Sequence, residues 1–181
     1  MQTQTIKIEL LINGKKVNIG HQFLEYIAKK IPDSKENQSI FDILACSDNP
    51  EVREALSYHD NLNKKTIHLL LEDTNQEVVD SILSNSTLAK HINEDVLFKI
   101  MKTGNIKYLT TIASNVEDYV KCDLCKIVKK LANHKNPLVR YELVRWRAND
   151  IVTNKILKQL SNDKDIDVAK EAQEELDRRD R

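Results

Sequence analysis

Residues 49–56 read NPEVREAL, and residues 136–143 read NPLVRYEL. Each begins with asparagine, then proline, then apolar residues at helical spacing. Asparagine is a preferred N-cap because its side-chain oxygen accepts a free N–H of the first turn. Proline suits the first helical position, where an N–H would be unsatisfied anyway. Both stretches therefore predict the start of an amphipathic helix. Weaker copies begin at Asn75 (NQEVVDSI), Asn105 (NIKYLTTI) and Asp165 (DIDVAKEA). Successive starts are 26, 30, 31 and 29 residues apart.

Aligning the five starts without gaps produces four apolar columns. Three residues after the cap stand Val52, Val78, Tyr108, Val139 and Val168. Seven after it stand Leu56, Ile82, Ile112, Leu143 and Ala172, one turn further along the same face. Five before it stand Leu44, Leu70, Ile100, Leu131 and Leu160, and eight before it Phe41, Ile67, Leu97, Val128 and Leu157. Each unit thus reads as a helix, a short turn and a second helix. One such pair cannot bury its own stripe, so neighbours must stack. The expected fold is mainly α, an α-solenoid of about five short helix pairs over residues 38–181.

DNPEVREAL and KNPLVRYEL resemble the turn and helix of HEAT-like repeats, and more closely those of the shorter leucine-rich repeat variant. The resemblance spans roughly residues 38–176. Its Asn-Pro and Val-Arg elements match only at Asn49-Pro50, Val52-Arg53, Asn136-Pro137 and Val139-Arg140. The other three units keep the apolar columns without the proline and arginine, so both families remain open. The resemblance implies stacked helices and a binding surface. By its match to Arg53, Arg140 is expected to bond to the neighbouring turn.

Residues 1–31 follow a different pattern. TIKIELLINGKKVNI alternates Ile6, Ile8 and Leu10, then places Asn13-Gly14 before Val17 and Ile19. Asn-Gly between alternating segments predicts a tight β-hairpin. Phe23, Leu24 and Ile27 then fall at helical spacing. Hairpin and helix are expected to cap the first helix pair and pack on it, because an isolated hairpin is marginal. PDSKENQ, residues 32–38, reads as a linker. At the other end, Glu174–Arg178 and Glu175–Arg179 are favourable i,i+4 pairs on a charged final helix.

The chain has 181 residues, no net charge, and only three glycines and three prolines. Few turn residues favour helix over sheet. Zero net charge makes no global argument for nucleic acid or membrane. Its distribution is uneven. Residues 47–118 hold seven basic against twelve acidic side chains; residues 119–150 hold eight against three. Three cysteines, an odd and low number, suit a reducing compartment. No signal peptide or membrane span is visible, so a cytoplasmic location is expected.

Chemical signatures are sparse. Cys122-Asp-Leu-Cys125 has the spacing of a redox pair or half a metal site. It lies in a helical pattern carrying Val120, Leu124, Ile127, Val128 and Leu131, with Cys125 bordering the apolar face and Cys122 pointing away. No second cysteine pair follows, and no metal or other cofactor is expected. Asp163, Asp165, Asp167 and Glu174 mimic a calcium loop, but Val168 stands where that loop needs glycine. Glu72-Asp73 and Glu94-Asp95 read as solvated carboxylates. No catalytic residue is assigned.

The basic segment remains. Lys126, Lys129 and Lys130 lie on one predicted helix; Arg145, Trp146 and Arg147 lie on the next. Trp146 continues the inward stripe of Val139 and Leu143, while Arg145 points most fully outward. These six residues are the candidate binding set. The leading expectation is a non-enzymatic protein-interaction or scaffold module. The alternative is a nucleic-acid binder, similar to HEAT-like DNA glycosylases, tracking phosphates along residues 121–147.

Overall fold

The computed structural model describes residues 10–17, 20–145 and 151–181. Ile6, Ile8, Ile19, Trp146 and Arg147 lie outside them. The chain is mainly α-helical, with one two-stranded hairpin among the described residues. It divides into two compact units, Met1–Leu88 and Ala89–Arg181.

In the first unit, β1 (Leu10–Ile12) and β2 (Lys15–Val17) pair antiparallel, with Leu10 opposite Val17, Leu11 opposite Lys16 and Ile12 opposite Lys15. Asn13 and Gly14 both have positive φ, 51° and 76°. That is the turn Asn-Gly supplies most readily. Residues 11–17 are all exposed, contrary to the expectation that the hairpin packs on the helices. Lys15 and Lys16 oppose Ile12 and Leu11, so each face carries a charge beside its apolar residue.

The next helix, α1 (His21–Lys30), does pack on the first pair, with Ala28 fully buried. Phe23 stays 41% exposed and Leu24 and Ile27 are half-buried. His59, buried beside Phe41, donates from Nε2 to the Ala28 carbonyl and fastens α1 in place. The linker is also fastened. The Asp33 carboxylate accepts the backbone N–H groups of Asp60 (2.7 Å) and Asn61 (3.2 Å).

Two helix pairs follow in this unit. They are α2 (Gln38–Leu44) with α3 (Pro50–Glu54), and α4 (Lys64–Leu71) with α5 (Gln76–Ser84). A short α6 (Ser86–Ala89) comes next. The second unit holds α7 (Glu94–Lys102) with α8 (Ile106–Ser114), α9 (Leu124–Ala132) with α10 (Pro137–Arg145), and α11 (Asn154–Leu160) with α12 (Ile166–Arg179). Within the first unit α3 touches α5; within the second, α10 touches both α8 and α12.

All twenty residues of the four apolar columns are buried, the most exposed being Tyr108 at 8%. Each of the five caps also accepts a first-turn N–H: Asn49 from Glu51, Asn75 from Glu77, Asn105 from Lys107, Asn136 from Leu138, and Asp165 from Asp167 and Val168. Replacing Asn105 with alanine is expected to cost about 1 kcal/mol in urea unfolding, and replacing it with aspartate much less.

A fifth column escapes an apolar reading. Two residues before each cap stands a side chain that accepts the cap's own N–H: Ser47, Asp73, Thr103, His134 (through Nδ1) and Asp163. Two members do more. Asp73 receives Nε and Nη2 of Arg53 at 2.6 and 2.8 Å; Asp163 receives the same atoms of Arg140 at 2.7 and 2.7 Å. Each arginine also donates Nη1 to its own turn, Arg53 to the Ser47 carbonyl and Arg140 to those of His134 and Lys135. These clamps tie the first pair to the second and the fourth to the fifth. Asp73 is therefore a buried clamp residue, 7% exposed, and not a solvated carboxylate.

Candidate functional site

The chain turns after α7 through Thr103 and Gly104, whose φ of +71° favours glycine. After α9 it turns through Asn133, His134 and Lys135. Between these turns the second unit carries an open cleft of about 400 Å3. Its floor is Leu109 and Leu131, both buried, with half-buried Met101. Its rim is Lys102, Lys130 and Lys135, all exposed, and its remaining wall is Asn133 and His134. Among the described residues no carboxylate lines it.

Lys102 and Lys130 occupy the last turns of α7 and α9, where cations offset the helix dipole. Lys130 also sits over the Phe98 ring, 4.8 Å from its centre. Lys135 lies in the turn, beyond that explanation. None of the three has an ion-pair partner among the described residues. The Asn133 amide is spent on the fold, donating to the Lys129 carbonyl (2.7 Å) and accepting from Gln159 (3.1 Å). With Nδ1 of His134 taken by the Asn136 N–H, a neutral ring carries its proton on Nε2.

The sequence candidates separate. Lys130 joins the cleft. Lys126 instead pairs with Asp123 (3.3 Å) and Glu94 (3.5 Å), and Lys129 is exposed away from the cleft. Arg145 pairs with Glu142 at 3.1 Å and lies 5.8 Å from the Tyr141 ring centre. Trp146 and Arg147 lie outside the described residues. Of the other cleft residues, Lys102 is remote in sequence from the basic segment, while His134 and Lys135 lie within it, in the turn between its two helices rather than on either. Glu94 does structural work too, accepting the Asp123 N–H at 2.9 Å.

The two cysteines reverse the helical-wheel expectation. Cys125 is exposed and Cys122 half-buried. Helix α9 begins only at Leu124, so the wheel does not extend back to Cys122, and Val120 is 60% exposed. Burial, with Glu94 adding, pushes the Cys122 thiol up to about 11. Only the thiolate is a nucleophile. At pH 8 iodoacetamide should therefore alkylate Cys46 and Cys125 and leave Cys122 largely unmodified, with peptide mass spectrometry as the readout. Rapid labelling of Cys122 would contradict its burial. Asp163 is committed to its clamp and Asp165 to its cap, which accounts for the calcium-like spacing.

Among the described residues, no three His, Cys, Asp or Glu side chains are grouped to hold a metal ion. No helix among them is long and apolar enough to cross a membrane. No family model matches the chain, no curated protein matches it, and no solved structure matches it.

Proposed function

We propose that this chain is a non-enzymatic protein-interaction module, an α-solenoid of HEAT-like or leucine-rich-repeat-variant type acting in the cytoplasm. The observation that carries the reading is the cleft beside α7, α8 and α9, with its buried leucine floor and a lysine rim that has no ion-pair partner among the described residues. Stacked helix pairs present extended surfaces of this kind to protein partners. The apolar columns are consumed by packing, and the caps and clamps by the turns. The cleft is where apolar surface coincides with lysines that have no carboxylate partner among the described residues.

A nucleic-acid track is the weaker reading. Such a track needs a run of uncommitted cations along the backbone. Lys126 and Arg145 are instead paired with carboxylates. The experiment is affinity capture with the immobilised full chain, beside anisotropy of labelled single- and double-stranded oligonucleotides in 50 mM salt. Recovery of a protein at near-stoichiometric yield, with no oligonucleotide bound, is expected. Tight, steeply salt-dependent oligonucleotide binding with no protein retained defeats the reading.

A further inference from the structure

The cleft coincides with a missing clamp. Four residues after the cap, the first and fourth pairs carry Arg53 and Arg140, whose guanidinium groups reach the aspartate two residues before the next cap. At the same positions between the third and fourth pairs stand Leu109 and His134. Leucine is shorter than arginine and carries no guanidinium, so it cannot span the gap. His134 turns Nδ1 to its own cap N–H. The space an arginine fills elsewhere is left open, and Leu109 forms its floor.

The rim changes with it. Lys102, Lys130 and Lys135 stand three before the third cap, and six and one before the fourth. The corresponding residues around the Arg53 clamp are Cys46, Leu69 and Thr74; around the Arg140 clamp they are Asn133, Gln159 and Lys164. Val79 and Thr103 are likewise unclamped, but the corresponding residues there are Glu72, Lys99 and Gly104, so three lysines stand only at the position of Leu109 and His134. Repulsion among them is unrelieved by any carboxylate of the described residues. An anionic ligand would relieve it.

We propose that this cleft binds an acidic peptide segment that inserts one apolar side chain onto Leu109 and Leu131 and sets its flanking carboxylates against the three lysines. The inference rests on the protein-interaction reading above. The floor decides between anionic partners. A phosphate backbone gains nothing from two buried leucines, and base stacking uses aromatic faces. Among the described residues no Phe, Tyr or Trp lines the cleft, and the His134 ring, held by its bond to the Asn136 N–H, is the one aromatic in its wall. An apolar anchor inside a charged rim is the usual anatomy of a protein–peptide contact.

The test uses the full chain and a fluorescein-labelled nonapeptide with a central leucine flanked by aspartates and glutamates. Its twins carry a central alanine, or lysines in place of the acids. The expected result is binding of the acidic leucine peptide, roughly tenfold weaker binding of the alanine twin, and no binding of the lysine twin. Two variants should each abolish binding. One is the triple charge reversal K102E/K130E/K135E. The other is Leu109→Arg with His134→Asp, which rebuilds the clamp inside the cleft and should leave the melting temperature unchanged or raised. Lys129→Glu, outside the cleft, should bind as the parent does.

Peptide binding that survives both cleft variants overturns this site while leaving the interaction module standing. Binding by no peptide, with a protein still captured from lysate, does the same. An oligonucleotide that binds more tightly than every peptide, and is lost in the triple variant, overturns the site and the module together. Self-association of the chain that the triple variant disperses replaces the peptide with a second copy.

Discussion

Replacing Arg140 with methionine is expected to remove about 3–5 kcal/mol of stability, because it strands the Asp163 carboxylate inside the protein. The arginine side chain is 6% exposed and that of the aspartate 9%. Two bonds at 2.7 Å join them, and a third ties the guanidinium to the His134 carbonyl at 2.6 Å. Methionine keeps most of the apolar stem and removes every donor. The melting temperature should fall on the order of 10 °C, with circular dichroism as the readout. Changing Asp163 to asparagine in the same chain should recover part of the loss, since asparagine can still accept the Asp165 N–H. A drop under 1 kcal/mol would show that water replaces the guanidinium.

The same pair sets an acid dependence. Hydrogen bonds from Arg140 lower the Asp163 pKa against the opposing effect of burial. A depressed folded value contributes stability that is complete above the unfolded carboxylate value of about 4, and is lost as pH falls through the depressed value. The Arg140→Met deficit should therefore be full at pH 7 and narrow below about pH 4.

The second large effect is expected in the core, with its control in the same chain. Ile112 is fully buried, whereas Ile166 is 80% exposed at the start of α12. Ile112→Ala should cost about 2–5 kcal/mol, the lost transfer energy plus the cavity it leaves. Ile166→Ala should fall within about 0.5 kcal/mol of the parent. Urea melts of the two variants decide it. Equal effects would mean that the column containing Ile112 is not packed as described.

Ile112 also shows why much of the helical architecture is legible in sequence. Burial on one face forces an apolar residue at a fixed offset from the cap, and any Leu, Ile, Val or Phe satisfies it. The columns and caps follow from that rule alone. The acceptor column does not, because Ser47, Asp73, Thr103, His134 and Asp163 share a lone pair and little else. The cleft is less legible still. Leu109 stands where 53 and 140 carry arginine and is indistinguishable from a core residue, and Lys102 lies 28 residues before Lys130. Cys122 departs from the helical wheel for a local reason: it precedes Leu124, where the helix begins. The hairpin formed where Asn13-Gly14 predicts, but its lysines leave it uncovered.

The acceptor column has an evolutionary consequence. What each turn needs is one lone pair at one point, and four side-chain types supply it here. Drift among them is close to neutral while nothing else depends on the choice. At Asp73 and Asp163 something does, since an arginine from the preceding pair is bonded to the carboxylate. Those two positions are entrenched, and losing either partner first is the costly order. Position 134, like 47 and 103, carries no such arginine, so its turn can hold a histidine as readily as a carboxylate.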